Sequence, residues 1–214
     1  MNWLAKLMGG RDGATSPDTN VLQTIADWKA LPACDPNRPH FEARYTIVNT
    51  EASGLNLDHD TLLSVAAIGL NEGILTPENS FYAALEPHPA ATLAELLRFA
   101  GKEPLVVFNA GFNRSMLERA FDTHLGFVPE LIWLDLFILL PTLFPDRINR
   151  NARLADWMEA FDIETFQRHH ALGDAFVIAQ LMLAAQARAL AQGVSTPRAL
   201  VEVERARRQL QRHT

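Results

Sequence analysis

A mixed α/β fold, with one five-stranded sheet in the order 3-2-1-4-5, strand 2 antiparallel and helices flanking it, is the architecture this sequence predicts. Three observations lead there. Strand-like runs follow one another without a helix between residues 44 and 85. Downstream, helical and strand patterns alternate. Right-handed crossovers then leave few topologies, and the strand beginning at Tyr45 falls in the centre.

The central strand is read from Tyr45-Thr46-Ile47-Val48, short and β-branched, as expected of a strand buried on both faces. It ends in a polar pair, Asn49 and Glu51. Residues two apart on an extended chain point the same way, so both face one spot at the sheet's carboxyl edge. Gly54 allows the turn, and Leu62 to Leu70 returns as strand 2. Asn71-Glu72-Gly73 is a turn signal, and Ile74 to Leu85 is strand 3, irregular at Pro77. Thr92 to Ala100 is helical, and Leu105 to Phe108 is a fourth, buried strand. Asn109 suits the N-cap of a helix marked by Phe112, Met116, Leu117, Ala120 and Phe121. Leu131 to Leu134 is strand 5, with a short helix from Asp135 to Leu143 after it. Further helices run over Arg153 to Phe161, Leu172 to Gln192 and Thr196 to Thr214.

Three regions are expected. Residues 1–43 form an N-terminal extension, in which Trp3, Leu4, Leu7 and Met8 share a helix face, a Gly/Ser/Pro/Asp-rich linker follows, and Val21 to Leu31 form a second short helix. That helix either packs on the domain's back or docks a protein partner. Residues 44–192 form the main domain. Residues 193–214 are an Arg-rich helix or tail, read as a solvated surface, a nucleic-acid contact or a protein-docking element.

Apolar residues make up 48% of the 214-residue chain and charged residues 21%, ordinary for a soluble globular protein. A net charge of −6 argues against holding duplex nucleic acid mainly by neutralising phosphates, but not against gripping a strand end. The single Cys34 excludes an intrachain disulfide and a cysteine-rich zinc site, which fits a cytoplasmic setting. No signal peptide is visible, and the apolar run Leu131 to Phe144, interrupted by Asp135 and Pro141, is too short to span a bilayer; no membrane association is expected.

Polar groups converge on the sheet edge from three places: Asn49 with Glu51, Asn113 in the first turn after strand 4, and His169 with Asp174 at the start of the long helix. Asp174 shares the apolar stripe of Val177, Ile178, Leu181 and Met182 and therefore points inward. An inward carboxylate is costly unless neutralised, and no Lys or Arg stands beside it at helical spacing, so a metal ion or a distant partner is implied. Taken singly, Asn113 reads as a helix-start residue and Asp174 as a first-turn acid favoured by the helix dipole. The signal is their conjunction and order.

That order resembles the DEDDh group of 3′-to-5′ exonucleases in the RNase H-like superfamily, which includes DNA polymerase III proofreading subunits and RNase T. NTEASGL occupies the place of the family's Asp-x-Glu and Gly-Leu turn, so Glu51 matches and Asn49 stands where the family has Asp. NAGFN occupies the place of Asn-Ala-x-Phe-Asp, with Asn109, Ala110 and Phe112 matching and Asn113 in place of Asp. HHALGDA matches the His-x4-Asp motif with His169 and Asp174, and Asp135 resembles a strand-end Asp between the second and third motifs. The resemblance covers Arg44 to Leu190.

The resemblance implies a metal-dependent exonuclease trimming single-stranded DNA or RNA from its 3′ end. Four carboxylates would hold two Mg²⁺ or Mn²⁺ ions about 4 Å apart, and the His would take a proton from the attacking water. Metal ligation falls on Glu51 and Asp174 and on the positions of Asn49 and Asn113. The general-base role falls on His169, and contact with the strand end on Thr50, Ser53, Gly54, Leu55, Asn109 and Phe112. An amide in place of a carboxylate beside a divalent ion loses on the order of several kcal/mol. Slow hydrolysis is therefore expected of this chain, and the alternative reading is a catalytically silent module that binds nucleic-acid ends or regulates.

Overall fold

The computed structural model describes residues 19–165 and 170–212. Five strands form one sheet in the order β3-β2-β1-β4-β5: β1 (Arg44–Ala52), β2 (Leu62–Asn71), β3 (Ile74–Ala84), β4 (Leu105–Val107) and β5 (Trp133–Asp135). The β1–β2 and β2–β3 pairs are antiparallel, whereas β1–β4 and β4–β5 are parallel. This is the expected order and sense. Among the described residues the helices are α1 (Thr19–Ala30), α2 (Pro89–Ala100), α3 (Ala110–Leu125), α4 (Leu136–Leu143), α5 (Leu154–Phe161), α6 (Ala171–Ala191) and α7 (Pro197–Gln211). The helix anticipated around Trp3 to Met8 lies outside the described residues.

Strand alternation divides the core in two. Tyr45 and Ile47 of β1, with Ala66, Ile68 and Leu70 of β2, pack under α4 and α6. Val48, Val65 and Ala67 point to the other face and pack under α1, α2 and α3. Both terminal elements belong to these cores. Val21, Ile25 and Trp28 of α1 are buried, and Trp28 donates its indole N–H to the Gly101 carbonyl at 2.6 Å. Leu200 of α7 is fully buried in the opposite layer. Helix α1 thus packs on one face of the sheet and α7 on the other. Helix α6 is long and apolar enough to cross a membrane by length and composition, but its stripe of Val177, Ile178, Leu181 and Met182 is buried against the sheet.

A buried polar pair ties the start of β1 to the chain beyond α6. His40 Nε2 lies 3.2 Å from the Val194 carbonyl, which can only accept, so the ring carries its proton on Nε2. Its Nδ1, 2.5 Å from the Tyr45 hydroxyl, then accepts from it. Burial lowers the His40 pKa from its ordinary 6.5. As pH falls, the unfolded chain binds this proton before the folded one, so the stability contribution is complete above about 6.5 and is lost below it. The urea midpoint is expected to fall more between pH 7.5 and 5.5 in the natural chain than in His40→Gln. Identical pH profiles would contradict this assignment.

Candidate functional site

The site begins where β1 runs out of pairing. Asn49 and Glu51 lie opposite Ala66 and Ser64 of β2, and the register slips between Glu51 and Ala52. Such a bulge ends a ladder and re-aims the side chains beside it. Asn49 and Glu51 continue the alternation of Tyr45 and Ile47, so they share the face covered by α6. Asn49 Nδ2 donates to the Ala171 carbonyl at 3.3 Å, which fixes the first turn of α6 over the end of β1. Asp174 follows Ala171 by three residues, on the same side of that helix, and is half-buried. The structure thus brings Asn49, Glu51 and the Asp174 turn together. His169 lies outside the described residues. His170, beside it, has a buried Nδ1 without a hydrogen-bond partner among them, and its ring stands 5.0 Å from that of Tyr82.

Asn113 approaches the same strand from the opposite layer. It is 6% exposed, and its Oδ1 accepts from the Thr50 hydroxyl at 2.7 Å and the Thr50 N–H at 3.2 Å. Its Nδ2 donates to the Phe108 carbonyl at 2.8 Å and to the Asn109 carbonyl at 3.4 Å. The Asn113 oxygen thus already accepts two hydrogen bonds, from the hydroxyl and the backbone N–H of Thr50, the residue between Asn49 and Glu51. A carboxylate at this position could accept from Thr50 but could donate to neither carbonyl. The side chain serves the fold as an amide.

Asn109 occupies the N-cap of α3, as expected, but another residue supplies the capping bonds. Asn109 adopts a left-handed conformation, φ 70° and ψ 74°, and makes no side-chain cap. Asp135, from the end of β5, does the capping. Its Oδ1 accepts from Asn109 N–H at 2.9 Å and Phe137 N–H at 3.0 Å, and its Oδ2 accepts from Ala110 N–H at 3.0 Å. Arg208 of α7 pairs with that carboxylate at 2.9 Å and with Glu204, also at 2.9 Å, while Glu204 accepts from Asp135 N–H at 2.8 Å. Burial pushes the Glu204 carboxyl up, against the opposing pull of the Asp135 N–H and Arg208. Asp135 is 2% exposed, so this charge is held by partners and not by water. Sequence reasoning gave Asp135 as the start of a short helix and, through the resemblance, as a strand-end Asp, but could not pair it with Arg208 and Glu204, which lie some seventy residues away.

The loop after β1 carries the remaining candidates. Ser53 donates to Asp60 Oδ1 at 2.7 Å, and Asp60 Oδ2 accepts from Asn56 N–H at 2.7 Å. Asp60 is held below its ordinary pKa by the Ser53 hydroxyl and the Asn56 N–H. A Cβ at Gly54 would stand 2.5 Å from that carboxylate, so the loop closes only with glycine there. Leu55 is left 85% exposed. Phe112 is half-buried against the α1–α2–α3 core, and Phe108 packs edge-on to Phe137 at 5.7 Å.

The donor set among the described residues falls short of a two-ion site. Among the described residues no group of three or more His, Cys, Asp or Glu side chains is placed to hold a metal. Glu51 and Asp174 supply two carboxylates, Asn49 supplies a neutral oxygen, and the Asn113 oxygen is occupied.

Sheet order and the carboxyl-edge position of the site give the chain a fold like that of solved exonuclease structures. The particular proteins it resembles are polymerase and exonuclease chains. The PolC-type DNA polymerase III of Oceanobacillus iheyensis is 26% identical over 168 residues, and that of Bacillus subtilis is 27% identical over 166. Each match covers 66% of this chain and 11% of the relative. E. coli Exonuclease I in complex with a dT13 oligonucleotide superposes with a TM-score of 0.53 at 17% identity, over 70% of this chain and 42% of that one. Its dA16 complex gives 0.51 at 16% identity, over 75% and 42%. No family model matches the chain.

Proposed function

We propose that this chain is a domain that engages the 3′ end of single-stranded DNA in an exonuclease-type cleft, with phosphodiester hydrolysis slow in the sequence as it stands. The fold supports the first half, since the Exonuclease I structures that resemble it contain bound oligonucleotides. The observation that carries the second half is the hydrogen-bond set of Asn113, which commits a family carboxylate position to Thr50 and two backbone carbonyls. Leu55, exposed on a loop pinned by Asp60, is the apolar group available to a terminal base, and Glu51 and Asp174 are the acids left to hold a single cation such as Mg²⁺ or Mn²⁺. A cation requires anionic oxygen ligands, and two are fewer than a two-ion site needs.

The test compares the natural chain with Asn49→Asp/Asn113→Asp on a 5′-labelled single strand with a free 3′ hydroxyl, in Mg²⁺ and in Mn²⁺, at a temperature where both are folded. Both chains are expected to bind the strand, and the double variant alone to shorten it appreciably. Equal cleavage by the two chains would contradict the slow-hydrolysis reading. Failure of either chain to prefer a free 3′ end over a 3′-phosphate would contradict end recognition.

A further inference from the structure

The strongest feature outside the cleft is a basic groove along the sheet edge at β5. Trp133 of β5 and Val201 of α7 line its floor. Arg114 of α3 stands on one wall, and Arg198, Arg205 and Arg212 stand on the other. The groove comprises two adjoining depressions of about 470 and 300 Å³ that share Arg114, Trp133, Val201 and Arg205.

Its charge is concentrated and available. Arg198 and Arg205 of α7 and Arg212 at its C-cap recur every seven residues, about 10.5 Å apart along one helix face. All three are exposed, and none is in a salt bridge among the described residues. Of the acids lining the groove, Glu204 is already paired with Arg208, and Glu202 is exposed between Arg198 and Arg205. Arg114 on the opposite wall is paired with Glu118, so the free positive charge is that of Arg198, Arg205 and Arg212 against one carboxylate. In a chain of net charge −6 this stripe is a local inversion of sign. Arg forks match phosphate oxygens, and the half-buried Trp133 ring, with the Arg114 guanidinium 5.6 Å from its centroid, adds a flat face of the kind bases stack on.

Strand β5 links the groove to the turn that opens α3. Trp133 precedes Asp135 by two residues on β5, about 7 Å along the strand, and Asp135 caps the Asn109–Ala110 turn. We propose that this groove carries the 5′-ward continuation of a single nucleic-acid strand whose 3′ end occupies the cleft, as a phosphate track with one stacking platform. The inference rests on the end-binding reading for the position of the 3′ end. An acidic protein segment is the competing occupant.

Binding of dT4 and dT20, measured by fluorescence anisotropy across a salt series, tests the proposal in the natural chain and in Arg198→Gln/Arg205→Gln/Arg212→Gln. The expected result is dT20 affinity reduced on the order of tenfold and the slope of log K against log salt flattened by about 2, three contacts at roughly 0.7 each, with dT4 unaffected. The corresponding triple Lys variant should retain the salt slope, and unchanged circular dichroism and melting midpoint in both variants exclude a folding artefact. Unchanged dT20 affinity and slope would overturn the proposal. So would a Glu/Asp-rich decapeptide that binds only when the arginines are present while dT20 ignores them. If dT4 binds and dT20 gains nothing, the groove fails and the cleft stands. If dT20 binds through the arginines and dT4 does not bind, the groove stands and the cleft reading fails.

Discussion

Replacing Asp135 by alanine is expected to destabilise the protein by about 3–5 kcal/mol, the cost of breaking a buried charged pair by removing one member. The change leaves the N–H groups of Asn109, Ala110 and Phe137 without their acceptor and deprives Arg208 of one of its two carboxylates. At roughly 2–4 °C per kcal/mol for a chain of this size, the melting midpoint falls on the order of 10 °C. Asn is no substitute, because its NH₂ would meet either the Ala110 N–H and Arg208 or the N–H groups of Asn109 and Phe137. Arg208→Met should cost less, since the carboxylate keeps its three backbone donors. Amide exchange at Asn109 and Ala110 should accelerate in Asp135→Ala before global unfolding does. A variant melting within about 1 kcal/mol of the natural chain, below the range for a broken buried pair, would mean that the network does not hold the start of α3.

The second large effect is expected at Asn113. Asn113→Asp removes two donated hydrogen bonds and sets a carboxylate oxygen against the Phe108 carbonyl, 2.8 Å from the present Nδ2. An unsatisfied or repelled buried group costs about 1–3 kcal/mol, and more when charged. The sign with pH is diagnostic. Protonation gives the new acid an O–H to donate, so its folded pKa lies above the unfolded value, and its variant is helped by acid and harmed as pH rises. Urea midpoints at pH 5 and pH 8 should therefore diverge from the natural chain most at pH 8. The opposite ordering would show that the site accepts a carboxylate without penalty.

The sheet and the chain order of the site were legible because both depend on local pattern. Buried β-branched runs, the Gly54 turn and the inward stripe of α6 are properties of a few neighbouring residues, and they put Asn49, Glu51 and Asp174 in elements that pack in one layer. What was not legible depends on distant partners. Asn109 has the residue type of an N-cap, but the cap came from Asp135, 26 residues on, and freed Asn109 to take a left-handed conformation. In the first turn of α3 Asn113 engages Thr50, some sixty residues earlier. Residue spacing alone does not report such long-range partners. The same holds for α7, whose Arg-rich composition suggests a solvated helix while Leu200, Glu204 and Arg208 anchor it to the core and to β5.

We propose an end-binding cleft, built on the described acids, that lacks a two-ion centre. Titration of the natural chain with Mn²⁺, followed by the loss of the free-ion paramagnetic resonance signal, tests it most directly, and Glu51→Gln/Asp174→Asn serves as the blank. The structure predicts at most one weakly held ion per chain, lost in the blank. Two ions bound tightly by the natural chain and absent from the blank would contradict it.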